Sequence, residues 1–451
     1  MPNKNRRKFL QQLGLAGAGL LTANQIFAGQ QQSLKEEWLK RSGEPTGGET
    51  IRLALIGAGG MGTQDTLTAL QHKDVELTAV CDLYQGRIEA ARQKWGSNLF
   101  TTTDYKEILK RKDVDAVIIG TPDHWHQPIS IAALQAGKHV YCEKPMLHAV
   151  SEGHALLDAW KKSGKVYQVG SQGMSSLGNE KAKELLASGA IGDLNYAEGF
   201  WARMSAEGAW QYKIPADGNT TTVDWDRYEI IKKHAFDPLR FFRWRNYLDY
   251  GTGMSGDLFV HLFSSLHFIT GSMGPTKIAA MGGLRYWKDG REVPDVLLGM
   301  FDYPQTQAHP AFDLSLRCNF VDGTSGTTYL RLNGSKGSMD VEWDKVTVRL
   351  NNTAESDDPF LKAQAAANAT GGEEERKKMV GPREIIYKAE DGYKGAHYDH
   401  FSNWFHAIRT GGTVTEDPLF GFRACAPALL CNDSYFSNNH INWDPVNLKI
   451  V

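Results

Sequence analysis

Six residues, Gly57-Ala58-Gly59-Gly60-Met61-Gly62, fall between an apolar run at 51–56 and the start of a helix-like pattern at 62–70. A second strand-like run, 75–81, ends just before Asp82. Strand, glycine turn, helix, strand and acid in this order form a dinucleotide-binding arrangement and force a βαβ start on the fold. Gly57 permits the tight turn, Gly59 lets the backbone approach a diphosphate, and Gly62 lets helix and strand pack closely. The helix start offers the diphosphate free N–H groups and the positive end of its dipole. Asp82 is placed to accept hydrogen bonds from the adenine ribose and to repel a 2′-phosphate, which selects NAD over NADP. Arg87, one turn further, works against that selection.

The alternation continues beyond this unit. Strand patterns at 115–120, 139–142 and 165–170, with helix patterns at 128–136 and 151–163, specify parallel strands joined by helices. After about residue 171 the texture changes to a short helix at 182–187 and to runs at 194–203 and 313–320 that alternate like antiparallel strands. With 451 residues and 41% hydrophobic content, the chain is long enough for two cores, so a second, α+β domain is expected there.

Fifty basic against 52 acidic side chains leave a formal net charge of −2, so no global field favours nucleic acid or an anionic membrane. The expected partner is a small neutral molecule. Five cysteines form neither a C-x-x-C pair nor a zinc-type spacing, and an odd count cannot pair fully within the chain, so no disulfide scaffold is indicated. His124 and His126, one residue apart with no third ligand in view, do not make a metal site, and none is expected. At the N-terminus, Asn5-Arg6-Arg7-Lys8-Phe9-Leu10 reads as a twin-arginine n-region before the apolar run 13–28. The expectation is a cleaved export leader over 1–28, a linker over 29–50, and a periplasmic or secreted protein with no membrane anchor afterwards.

Between residues 206 and 250 rings crowd the chain, among them Trp210, Tyr212, Trp225, Tyr228, Phe241, Phe242, Trp244 and Tyr250. Two readings stand: a long loop packed by its own aromatics, or in part the wall of a sugar site, since pyranose C–H faces stack on rings. The acidic, alanine-rich stretch 354–379 reads as a surface insertion.

Thr121-Pro122-Asp123-His124-Trp125-His126, Ala136-Gly137-Lys138-His139-Val140 and Glu143-Lys144-Pro145 together resemble the Gfo/Idh/MocA family, the glucose-fructose oxidoreductase and inositol dehydrogenase group, over 51–172. Gly253-Met254-Ser255-Gly256-Asp257-Leu258-Phe259-Val260-His261 is similar to the family's G-x-x-x-D-x-x-x-H segment, and 397–411 resembles its C-terminal helix loosely. The resemblance implies an α/β chain with a doubly wound parallel Rossmann sheet over 51–172. An α+β domain over 173–451, with a large, open, mainly antiparallel sheet, would follow, its C-terminal helix able to pack back on the Rossmann domain. It also implies a homo-oligomer.

Lys144 follows the carboxyl end of a strand, where an α/β sheet places its ligand crevice, and Pro145 restricts its backbone. In the family this lysine contacts the reacting hydroxyl and the nicotinamide ribose. Asp257 and His261, four apart, share one face if helical, so His261 can take a hydroxyl proton while Asp257 fixes the imidazole or the lysine. His267 has no such partner and reads as core. By resemblance, Thr121, Pro122, His126, Glu143, Lys144 and Gln172 join Gly57, Gly59, Gly60, Met61, Gly62 and Asp82 around the cofactor, with His124 and Trp125 on the substrate side.

The function these residues imply is hydride transfer between a sugar or glycoside hydroxyl carbon and tightly bound NAD, with His261 or Lys144 handling the proton. Export favours a cofactor loaded before transit and reset during turnover. Two rival readings are a glycosidase that oxidises, eliminates, hydrates and re-reduces, and a non-catalytic sugar-binding protein holding NAD. The Tyr-Pro-Thr-His-Gly segment associated with NAD-dependent N-acetylgalactosaminidases does not occur in the chain.

Overall fold

A computed structural model describes residues 35–41, 47–323, 327–350 and 384–451. The leader expected over 1–28 and the insertion expected over 354–379 lie outside the described residues. Ahead of the glycine turn runs β1 (Lys35–Leu39). The Rossmann strands are β2 (Ile51–Ile56), β3 (Val75–Cys81), β4 (Phe100–Thr102), β5 (Ala116–Ile119), β6 (His139–Glu143) and β7 (Tyr167–Gly170). They pair in parallel in the order β4-β3-β2-β5-β6-β7. In β2, Ile51, Leu53 and Leu55 enter one core while Ala54 and Ile56 enter the other, the period-two division of a strand covered on both faces. The order reverses beside β2, so the crevice at the strands' carboxyl ends opens there.

The second sheet contains β8 (Leu194–Ala202), β9 (Lys277–Gly283), β10 (Val296–Tyr303), β11 (Phe312–Asn319) and β12 (Thr328–Gly334). It continues with β13 (Gly337–Val341), β14 (Lys345–Leu350), β15 (Glu384–Ala389), β16 (Ile441–Asp444) and β17 (Lys449–Ile450). Eleven strands run in the order β1-β15-β14-β13-β12-β8-β11-β10-β9-β16-β17. Most pairs are antiparallel, as expected, and helices Leu177–Ala187, Val260–Thr270 and Pro418–Ser437 pack against the sheet and one another.

Two details differ from the sequence reading. The segments expected to alternate as antiparallel strands, β8 and β11, pair with each other in parallel. More than a hundred residues, including a helix and two strands, separate them and provide the long crossover a parallel pair requires. The stretch 29–50, read as linker, contains β1, which adds a parallel edge to β15. Its charged Lys35, Glu36 and Glu37 hide a strand from hydropathy, as edge strands often do. Arg41 then pins this end through Glu180 at 2.7 Å and Asp399 at 2.8 Å.

The C-terminal helix Ala396–Thr410 packs back on the Rossmann domain, burying Phe401, Trp404 and Phe405 with Leu53 and Leu55. His397 bonds Asp65, in the helix after the glycine turn, at 2.9 Å. Across the domains, Asp123 accepts from Thr252 N at 3.0 Å and Oγ1 at 2.7 Å. These contacts hold the second domain over the strands' carboxyl ends. No helix of the described residues is long and apolar enough to cross a membrane.

Candidate active site

One cavity of about 1120 Å³ runs from the glycine turn to the helix bearing His261. At its first end Gly57 has φ +93°, and a Cβ there would lie 2.7 Å from the Gly120 backbone. A Cβ on Gly62 would sit 2.2 Å from the Gly57 carbonyl, whereas Gly60 has open space and Gly59 has only Arg87 at 4.0 Å. The two tight glycines close the turn, and the two open ones leave a cradle for a ligand backbone. Helix Gly60–Ala69 starts at Gly59 with no side-chain cap, so its first N–H groups remain available to a diphosphate. These features fit a dinucleotide.

Asp82 lines the same end, with its carboxylate already engaged: Oδ2 accepts from Ala58 N at 2.8 Å and Oδ1 from Tyr84 N at 2.9 Å. Arg87 lies 3.5 Å away, over the Phe241 and Phe242 rings. Asp82 therefore shapes the glycine turn as well as lining the cavity. Asp82→Ala is expected to weaken NAD by about 1–3 kcal/mol and to narrow its advantage over NADP. Because Ala58 N also loses its acceptor, the ratio of the two affinities is the informative readout. A wild-type preference for NADP sinks this reading of Asp82.

At the other end, Lys144 leaves β6 and its Nζ donates to Asp257 Oδ1 at 2.9 Å and to the Asp257 carbonyl at 2.8 Å. Arg245 Nε reaches the same carboxylate oxygen at 3.2 Å. Burial pushes the Asp257 carboxyl up, but Lys144, Arg245 and Arg203 outweigh it and hold it far below the usual range, so it stays ionised. Of the two roles open to Asp257, it takes the lysine: it makes no hydrogen bond to His261. The physical reason is local, since Ser255–Phe259 winds as a wider π turn before the α-helix Val260–Thr270, offsetting the four-residue spacing.

His261 lines the cavity with its ring stacked on Trp201 at 5.3 Å, and its buried Nδ1 has no hydrogen-bond partner among the described residues. Burial, then Lys144, push its pKa well down against the opposing pull of Asp257, so the imidazole is neutral. Thr121, Pro122, Met61, Glu143 and Gln172 also line the cavity. Gln172 Nε2 donates to Glu143 Oε1 at 2.6 Å, and burial with Asp65 nearby raises the Glu143 carboxyl well above its usual range.

The other histidines divide. His126 lies at the cavity wall, but its ring bridges the carbonyls of Pro145 at 2.7 Å and Thr121 at 2.9 Å, bracing two cofactor-side loops instead of pointing freely at a ligand. His124, expected on the substrate side, turns away from the cavity: Nε2 meets the Tyr228 carbonyl at 3.2 Å among aromatic rings, and burial pushes its pKa down to about 3. Trp125 remains on the cavity wall. His267 is core, bonded to the Tyr303 hydroxyl at 2.9 Å. The aromatic segment divides. Trp225, Tyr228, Phe241, Phe242 and Tyr250 form a cluster that includes Tyr84, and Tyr212, Phe242 and Trp244 face the cavity. Sequence reasoning missed Trp201, Arg203 and Arg245. The Trp244-Arg245 pair inside the ring-rich segment was the one available signal, and it has no periodicity to place it.

A nucleotide cradle at one end and a lysine, carboxylate and neutral histidine at the other define the class: an NAD-binding Rossmann oxidoreductase architecture with a second domain closing the crevice. Residues 51–171 match the Gfo/Idh/MocA family model, described as "Oxidoreductase family, NAD-binding Rossmann fold".

The chain is 30% identical over 251 residues to an alpha-N-acetylgalactosaminidase of Shewanella oneidensis, covering 52% of each chain. It is 32% identical over 169 residues to an inositol 2-dehydrogenase of Salmonella typhimurium, covering 37% of this chain and 49% of that one. The chain thus spans about half the length of the curated relatives it matches. Its fold resembles a putative NADPH-dependent oxidoreductase from Desulfitobacterium hafniense (TM-score 0.65, 16% identity, 89% of this chain and 99% of that one). It also resembles levoglucosan dehydrogenase in complex with NADH and L-sorbose (TM-score 0.63, 19% identity, 88% and 99%).

Proposed function

We propose that this protein is an exported oxidoreductase that moves a hydride between a sugar or glycoside hydroxyl carbon and an NAD it keeps through turnover. The observation that carries the reading is convergence. Lys144 from the Rossmann domain and His261 with Asp257 from the second domain meet in the cavity whose far end is the glycine turn. Bound NAD would supply the two-electron acceptor. The chain's residues do the rest: Lys144, paired with Asp257, stabilises the developing alkoxide, neutral His261 receives the hydroxyl proton, and Trp201 and Trp244 offer flat faces to the ring. Asn5 to Leu10 and the apolar run after it support export.

The kinship with an alpha-N-acetylgalactosaminidase favours a second reading, a glycosidase in which oxidation and re-reduction cancel. A non-catalytic sugar-binding protein is the weaker alternative, since both Lys144 and His261 are retained at the site.

One experiment tests export and retention together. Protein harvested from the periplasm without added cofactor should release nicotinamide dinucleotide on denaturation, and the Arg6→Lys, Arg7→Lys variant should stay in the cytoplasm. Recovery of an active, cofactor-free enzyme that depends on external NAD would reject retention.

A further inference from the structure

The near-neutral overall charge hides a local imbalance at the reacting end of the cavity. Lys144, Arg203 and Arg245 all line it. Asp257 is already shared between two of them, at 2.9 Å from Lys144 and 3.2 Å from Arg245. Arg203 leaves the end of β8, is half-buried, and its side chain forms no hydrogen bond or ion pair among the described residues. It lies close enough to Asp257 and His261 to influence both electrostatically.

The other carboxyls facing this end are occupied. Asp123 takes two hydrogen bonds from Thr252, and Glu143 is bonded to Gln172. Burial moves both toward their neutral forms. Even with Asp123 ionised, the three cations outnumber the carboxylates set against them. Of the remaining acidic residues in the cavity wall, Asp82 is bonded to the glycine turn, Asp104 caps the helix Tyr105–Leu109 and Asp226 belongs to the short helix Trp225–Tyr228. A half-buried guanidinium with no acceptor carries a desolvation cost that a bound anion relieves, and the planar fork of arginine suits the paired oxygens of a carboxylate or phosphate. Trp201, Trp343 and Trp244 beside these cations supply the apolar surface a sugar ring needs.

Resting on the oxidoreductase reading above, we infer that the substrate is an anionic sugar. Arg203 and Arg245 bind its carboxylate or phosphate group, and its reacting hydroxyl lies between Lys144 and His261. This replaces the neutral partner that net charge alone suggested. Lysine would serve the same site less well, because it offers a point charge in place of a fork.

The test uses the full-length, NAD-loaded protein with matched probes: methyl glucoside, methyl glucuronide and glucose 6-phosphate. The readouts are the reduced-nicotinamide absorbance band and tryptophan fluorescence quenching. An anionic sugar should show a KM roughly 10- to 100-fold below that of the neutral one, the scale of a charge-assisted hydrogen bond. That advantage should shrink as salt is added. The uronide and phosphate arms separate the two sources of charge. In R203Q the anionic-to-neutral ratio of kcat/KM should fall by a similar factor, with R203K restoring part of it.

Equal turnover of neutral and anionic sugars, or a ratio untouched in folded R203Q, overturns the inference and leaves the oxidoreductase reading standing. No reduction and no quenching by any sugar overturns both. If R203Q does not fold, the wild-type ratio and its salt dependence decide.

Discussion

His261→Ala and Lys144→Ala each lower kcat by about 10²-fold or more, the scale of a lost proton-transfer group. A hydride departs from carbon only as the attached oxygen gives up its proton, so in the proposed reaction the two residues act on one atom although they come from different domains. Their effects are therefore non-additive, and the double variant falls little below the worse single one. NAD stays bound in the His261 variant, whose side chain serves the substrate. Because burial keeps the imidazole neutral, wild-type kcat/KM shows no acid limb near the ordinary histidine value of about 6.5. Normal turnover by His261→Ala on a sugar the wild type accepts makes the helix Val260–Thr270 core alone. The base must then be sought elsewhere on the cavity wall.

Asp257→Ala destabilises the protein by about 3–5 kcal/mol, the cost of removing one partner from a buried charge pair. Asp257, Lys144 and Arg245 have side-chain exposures of 6%, 10% and 22%, so solvent cannot take over the neutralisation. Deleting the carboxylate leaves two cations facing each other across the domain junction. Its folded pKa is depressed, so its contribution is complete above the unfolded value and is lost as pH falls from there toward the folded one. The gap between wild type and variant stays constant through neutral pH and closes only below about pH 4. Adding Lys144→Met to Asp257→Ala recovers part of the loss, because one of the stranded cations is then gone. Urea unfolding at several pH values measures all of this, and equal midpoints for Asp257→Ala and wild type would show that the pair contributes nothing to stability.

The nucleotide half of the site is legible in the chain because its information is local. Gly57 to Gly62, the flanking apolar runs and Asp82 lie within one βαβ unit, and each glycine answers to backbone sterics that act over a few residues. Lys144 is legible for a similar reason, through the strand end and the proline beside it. The reacting half depends on segments far apart in sequence. Whether Asp257 serves His261 or Lys144 is settled by a single wide helical turn and by where β6 ends, and neither shows in a four-residue spacing. The turning of His124 into the aromatic cluster comes from the Tyr228 carbonyl, about a hundred residues on.

By itself, then, the sequence determined the parallel domain, its glycine cradle and the identity of the acid, lysine and histidine. Burial and long-range pairing did the rest in the folded chain. A half-hidden charge such as Arg203, or a polar edge strand such as β1, acquires its meaning only from the groups that tertiary structure sets opposite it.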